Sequence, residues 1–226
     1  HEAWGSLARK LAHEIKNPLT PIQLTIDRIK NKFSKDLNQN DKQDFRNNLK
    51  IIDNQIKQIE KLVNEFSDFA RMPKPVMKKN NLVVLLKDTI NLLKELDRSI
   101  EIKFIKNNET IELFSDPEQL SRVFFNLIKN SVEQKVEKST DFNKKISIEL
   151  NDLDDHISLI IIDNGIGFGT FKDKIKDILN PYFTTKKNGT GLGLSIVNKI
   201  VNDHNGNIEF MNIDNGAKIM INFSKK

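Results

Sequence analysis

From Leu7 to Ala70 the apolar residues of this chain are spaced by threes and fours, a rhythm that packed helices bury. The first run is Leu7, Leu11, Ile15, Leu19, Ile22, Ile26, Ile29 and Phe33. A polar, turn-like segment follows from Ser34 to Lys42. The rhythm then resumes at Phe45, Leu49, Ile52, Ile56, Ile59, Val63, Phe66 and Ala70, alternating steps of four and three as a coiled-coil seam does. Two such stripes joined by a short turn predict an antiparallel helical hairpin. A lone hairpin leaves much of its apolar surface wet, so two hairpins are expected to pair as a homodimeric four-helix bundle. Packing of the hairpin on its own C-terminal part is the weaker alternative, because the seam runs the full length of the second helix.

The segment Arg71-Met-Pro-Lys-Pro-Val-Met77 ends this pattern, since two prolines in three residues favour an extended connector. The expected organisation is therefore a hairpin over 1–72, a linker over 73–79 and a second domain over 80–226. In the second domain Val83–Leu96 is predicted as a helix and Ile100–Ile105 as a strand. Asp116-Pro117 opens another helix, with Asp as cap and Pro at the first helical position, carrying Leu120, Phe124, Leu127 and Ile128 inward. Strands are predicted at Lys145–Leu150 and Ile157–Asp163, then a helix at Leu192–His204 and strands at Asn207–Met211 and Ala217–Phe223. Runs of strands with helices on one face make an α/β sandwich.

Several function classes drop out on composition. There is no cysteine for disulfides or thiolate metal sites. No apolar run approaches a membrane span. The net charge of +5 comes from lysines interleaved with acidic residues, and a single Trp and a single Tyr offer little for base stacking, so no nucleic-acid partner is expected. Because the chain begins at His1, a cytoplasmic fragment is expected, with any sensor or inner-membrane anchor in upstream segments.

Within the first helix, His13 lies roughly 200° from both Leu11 and Ile15 at about 100° per residue, away from the apolar stripe. An isolated helical histidine is usually a surface residue or a satisfied core residue, but the neighbours of this one carry chemistry. Glu14 is placed to take a proton from the imidazole. Asn17 shares its face one turn on and can position a water. Pro18 and Pro21 sit where a helix excludes them, leaving the carbonyls of Glu14 and Asn17 without helical partners.

Further along, Asn126 and Asn130 share a helical face, and two amide oxygens so placed suit a hard cation such as Mg²⁺ that keeps waters and phosphate oxygens. Asp163 ends an apolar strand and is followed by Gly165 and Gly167. A carboxylate there can accept from the exocyclic amine of adenine while glycines let the backbone approach the ring. Gly189, Gly191 and Gly193 precede a helix whose amides can hold phosphates. Neither the nucleoside-triphosphate P-loop nor the dinucleotide fingerprint is present. Between the glycine clusters, Phe168–Asn188 is expected to be a lid whose Phe183, Lys186 and Lys187 meet nucleotide or the helical domain.

Together these residues resemble the bacterial two-component sensor histidine kinases. The run Leu-Ala-His-Glu-Ile-Lys-Asn-Pro-Leu-Thr-Pro-Ile-Gln-Leu and the run Phe-Ala-Arg-Met-Pro are most similar to the NtrY-like, nitrogen-regulation type. The resemblance covers essentially the whole chain. It implies a dimerisation and phosphoacceptor hairpin followed by an ATP-binding α/β sandwich of the type shared with Hsp90, gyrase and MutL. On that resemblance His13 would be the phosphoacceptor, Glu14 its general base and Asn17 an aid to dephosphorylating a partner. Asn126 and Asn130 would bind Mg²⁺, Asp163 would bind the adenine of ATP, and the glycines at 165, 167, 189, 191 and 193 would shape pocket and lid. The implied partner is the receiver domain of a response regulator, of the nitrogen-regulation type. Ser131 departs from the alanine more usual after the second Asn. An ATP-hydrolysing member of the fold is the first rival, but those enzymes carry Glu where this chain has Asn126. A non-catalytic dimeric scaffold is the second.

Overall fold

The computed structural model describes residues 2–33, 39–70, 72–97, 99–133, 144–168, 178–179, 191–214 and 216–225, with side chains at all of these except 2–11, 13, 39–40 and 69–70. The chain divides into two compact units: His1–Pro73 with Thr184–Leu192, and Lys74–Phe183 with Gly193–Lys226.

In the first unit, α1 (Glu2–Phe33) packs along α2 (Gln39–Ala70). The second helix begins at Gln39, inside the segment expected to be turn. The sequence stripe divides between two faces. Ala12, Leu19 and Ile26 of α1 and Leu49, Ile56 and Val63 of α2 are buried, and Ile29 and Phe45 pack partly against this seam. Three residues on from buried positions, Ile15, Ile22, Ile52 and Ile59 stand 41–45% exposed. Each helix thus spends one of its two heptad rows on its own hairpin and leaves the other outside. Gln23 donates to Asp53 across the pair at 3.2 Å, and Asp53 also receives Lys57 at 2.7 Å. Helix α1 continues through Pro18 and Pro21. Glu14, Asn17, Pro18 and Pro21 are all exposed, so the carbonyls that lose their N–H partners belong to the wet side of the helix.

In the second unit, strands β2 (Glu101–Lys106), β4 (Lys145–Asp152), β5 (His156–Asp163), β6 (Gly206–Ile213) and β7 (Gly216–Ser224) form a sheet in the order β2-β4-β5-β7-β6. Only the β2–β4 pair is parallel. Period-two alternation builds its covered face: Ile148, Ile161 and Ile219 lie in one cross-strand row and Leu150, Leu159 and Ile221 in the next. Helices α3 (Leu82–Leu96), α4 (Pro117–Val132) and α5 (Gly193–Asp203) supply the facing apolar layer. From it Leu86, Leu120, Phe124, Leu127, Ile128, Val197 and Ile200 are fully enclosed. The mixed sheet under helices is the expected sandwich. One element is additional: β1 (Lys78–Asn81), overlapping the stretch expected as linker, pairs antiparallel with β3 (Glu112–Ser115) in a separate two-stranded ribbon. The short sequence Lys-Lys-Asn-Asn has no apolar alternation by which to announce a strand.

Caps fix where the helices begin. Asn81 accepts from Val83 N at the start of α3. Asp116 accepts from Glu118 N and Gln119 N at the start of α4, with Pro117 next, as the sequence predicts. Among the described residues no helix is long and apolar enough to cross a membrane.

Candidate functional site

Strand β5 sets the first side chain of the site. The alternation that buries Ile157, Leu159 and Ile161 delivers Asp163 to the same helix-covered face at the strand's end, where it is only 4% exposed. Burial pushes its carboxyl above the ordinary carboxylate range, while the Gly165 and Ala217 amides and the nearby Ser131 hydroxyl pull the other way. Gly165 N donates to Asp163 Oδ1 at 3.0 Å, folding Asp163–Gly165 into a tight turn. Among the described residues no lysine or arginine forms an ion pair with this carboxylate. It is a buried acceptor met by amide dipoles and a neutral hydroxyl, which suits a neutral donor such as an aromatic amine better than a cation.

The sign of the shift yields a stability test. A folded-state pKa raised above the unfolded value means that the native state binds the extra proton, so Asp163 costs stability once pH rises through that window. Asp163→Asn should therefore gain melting temperature relative to the parent chain as pH rises from the ordinary carboxylate range towards neutrality. Thermal melts of both proteins across that range check the trend, and a constant difference would count against it.

Helix α4 contributes the next groups. Asn126 and Asn130 are each half-buried, one turn apart, on the helix that inserts Val123, Phe124, Leu127 and Ile128 into the core. Ser131 is buried, and its hydroxyl has no hydrogen-bond partner of normal geometry. Helix α5 begins at Gly193, where an added Cβ would come 3.9 Å from Asn126 Oδ1, so the start of this helix and the asparagine face adjoin.

The turn after Asp163 is held from below by residues that sequence reasoning passed over. Gly167 has φ +65, and an added Cβ would meet Gly216 O at 2.6 Å and Asn212 Oδ1 at 2.8 Å. Phe168 N donates to that Asn212 oxygen at 2.8 Å. Gly216 has φ +135, and a Cβ there would lie 1.8 Å from Asp163 O. Asn164 Oδ1 accepts from Lys145 N at 2.8 Å on the other flank. The only sequence signal for Gly216 was its place before a strand, which marks a turn and no more.

The described geometry thus brings together Asp163, Gly165 and Gly167 on one side, and Asn126, Asn130 and Gly193 on the other, all within the second unit. Gly191, at φ +72, falls in the first unit. Glu14 and Asn17 are exposed on α1. The side chain of His13 and residues Phe183, Lys186, Lys187 and Gly189 lie outside the described residues, as does the expected lid apart from Phe168, Ile178 and Leu179.

Two family models divide the chain between them. Residues 3–75 match the His Kinase A (phospho-acceptor) domain, and residues 115–226 match the histidine kinase-, DNA gyrase B-, and HSP90-like ATPase. An NtrY-like sensor histidine kinase of Rickettsia felis is 39% identical over 99% of this chain, which covers 36% of that protein. Nitrogen regulation protein NtrY of Azorhizobium caulinodans is 34% identical over 99% of this chain and 29% of its own length. The chain therefore spans roughly a third of the curated relatives it matches. Among solved structures, the catalytic domain of histidine kinase ThkA is 30% identical, aligning 66% of this chain with 95% of that one at a TM-score of 0.58. Histidine kinase ThkA in complex with response regulator protein TrrA aligns over all of this chain and 63% of that one, at 27% identity and a TM-score of 0.66.

Proposed function

The chain belongs to the sensor histidine kinases, and on that premise we propose that it is a kinase core that moves the γ-phosphoryl group of ATP to His13 and then to an aspartate of a response-regulator receiver. The observation that carries the reading is the constellation in the second unit. A buried carboxylate with no cation partner among the described residues ends the central strand, and an asparagine pair faces the start of a glycine-headed helix.

In this reading Asp163 accepts from the exocyclic amine of adenine, and the Gly165–Gly167 turn lets the ring approach the backbone. The glycine box of Gly189, Gly191 and Gly193 lies along the phosphates, while Phe183 and Lys186 close over the nucleotide. Asn126 and Asn130 present neutral oxygen donors beside the phosphate end. Among the described residues no group of three or more His, Cys, Asp or Glu could hold a metal by itself. That donor set fits Mg²⁺, which binds through few protein ligands and shares its shell with substrate phosphates. When bound, the ion neutralises charge on the triphosphate oxygens. The imidazole nitrogen of His13 forms the new N–P bond as ADP leaves, and Glu14 takes the ring proton. Asn17 positions a water for hydrolysis of the phosphorylated regulator, a phosphatase function on the same helix. The exposed row of Ile15, Ile22, Ile52 and Ile59 supports a homodimer through a four-helix bundle. ThkA was solved with a response regulator, and the NtrY-like relatives favour a nitrogen-regulation type of receiver for this chain.

The test is incubation of the chain with Mg²⁺ and γ-labelled ATP beside His13→Ala and Asn130→Ala. Acid-labile, alkali-stable label that disappears in both variants is the expected result. Steady phosphate release that survives His13→Ala would replace this reading with an ATPase, and absence of label despite bound nucleotide would leave a scaffold.

A further inference from the structure

Asp116 does more than cap a helix. Its Oδ1 accepts from Glu118 N and Gln119 N, both at 3.0 Å, and its Oδ2 accepts from Val76 N at 2.8 Å. Its own backbone N–H donates to His204 Nε2 at 2.9 Å. A backbone N–H can only donate, so Nε2 is the unprotonated ring nitrogen, and the Nδ1 proton goes to Ile200 O at 2.8 Å. Both residues are buried, Asp116 at 8% and His204 at 3% exposure. Burial raises the Asp116 carboxyl, but the amides of Gln119, Val76 and Glu118 outweigh it and hold the group below its ordinary value.

Three segments meet at this point: the end of the connector, the start of α4 and the residue just past α5. At their other ends the same two helices meet again, where Asn126 Oδ1 lies 3.9 Å from the position of a Cβ on Gly193. The helices run antiparallel, clasped by hydrogen bonds at Asp116–His204 and in simple contact at Asn126–Gly193, about 15 Å away along α4. Over that length a tilt of about 4° moves the far end by about 1 Å, a misplacement large enough to matter for a reacting phosphoryl group.

We propose that Asp116 and His204 are positioning residues, forming a clasp that sets the spacing of Asn126 and Asn130 from Gly193 and ties that spacing to the connector at Val76. The clasp rests on the reading of those residues as the metal and phosphate end of the nucleotide site. Asp163, on the sheet, is not held by it. Loosening the clasp therefore weakens the triphosphate end and spares the adenine end.

The measurement is calorimetric titration of the full chain with Mg-ATP and, separately, with adenosine. His204→Phe keeps the ring volume and removes both hydrogen bonds. It should lose about tenfold in Mg-ATP affinity, the scale of one hydrogen bond to a charged group weakened at the displaced triphosphate end, with adenosine affinity essentially unchanged. His204→Gln, whose amide oxygen can reach towards the Asp116 N–H, should recover most of the loss. Equal losses for the two ligands, or no loss for Mg-ATP, would overturn the clasp. If His204→Phe does not fold, Asp116→Asn decides: it keeps the cap but turns an NH₂ towards Val76 N. A selective Mg-ATP loss there supports the proposal, and unchanged affinity sinks it. An unmodified chain that binds no Mg-ATP would overturn the site reading and the clasp with it.

Discussion

Gly216→Ala is expected to abolish nucleotide binding by the second unit while leaving the α1–α2 hairpin helical. The added Cβ would lie 1.8 Å from Asp163 O, 2.8 Å from Asp163 C and 3.1 Å from Asn164 Cα. All three are main-chain atoms, so no flexible side chain can yield. The backbone itself sits at φ +135, a region that only glycine occupies at low cost. Relief requires moving the end of β5, and with it the carboxylate and the turn through Gly165 and Gly167. Strain and clash together should cost on the order of 3 kcal/mol or more of stability. Gly206→Ala is the control, because its Cβ would meet Val201 Cγ1 at 2.9 Å and Asn222 O at 3.0 Å, away from Asp163. It should lower the melting temperature and still bind nucleotide. Titration with a fluorescent ATP analogue separates the two, and a Gly216→Ala chain that binds normally would show that the Asp163 turn tolerates displacement.

The second large effect concerns the outer row of the hairpin. Ile52 and Ile59 are 45% and 43% exposed, whereas Ile56 between them is buried at 5%. Changing both to glutamate should convert the proposed dimer into a monomer. Each isoleucine would forfeit about 1.5–3 kcal/mol of burial, doubled by two-fold symmetry, before the cost of desolvating four carboxylates. The hairpin seam of Leu19, Ile26, Leu49, Ile56 and Val63 is untouched, so far-UV circular dichroism should keep its helical signal. Sedimentation velocity reads the oligomer directly, and a double variant that stays dimeric would move the interface elsewhere. Autophosphorylation of the same variant is informative too: a monomer that still labels His13 does so within one chain, and a silent one needs its mate.

Much of this architecture was legible because the forces that make helices and strands act over a few residues. The three-and-four spacing announced α1 and α2, Asp116-Pro117 announced the start of α4, and the apolar run before Asp163 announced a central strand. The candidate residues Asn126, Asn130, Asp163 and Gly165 were readable for the same reason, since each pair is one turn of helix or one tight turn apart. The β1–β3 ribbon was not, because its strands are short and polar and its pairing joins residues such as Asn80 and Leu113 far apart in the chain.

Sequence alone determined the helices, the strands of the main sheet, their order along the chain and the residue types that chemistry needs. Only the tertiary structure decided which apolar row of each helix turns inward, why position 216 must be glycine, and that His204 grips Asp116 from a distant part of the chain. Those are decisions of packing: they depend on which atoms arrive at the same place, and no local preference along the chain carries that information.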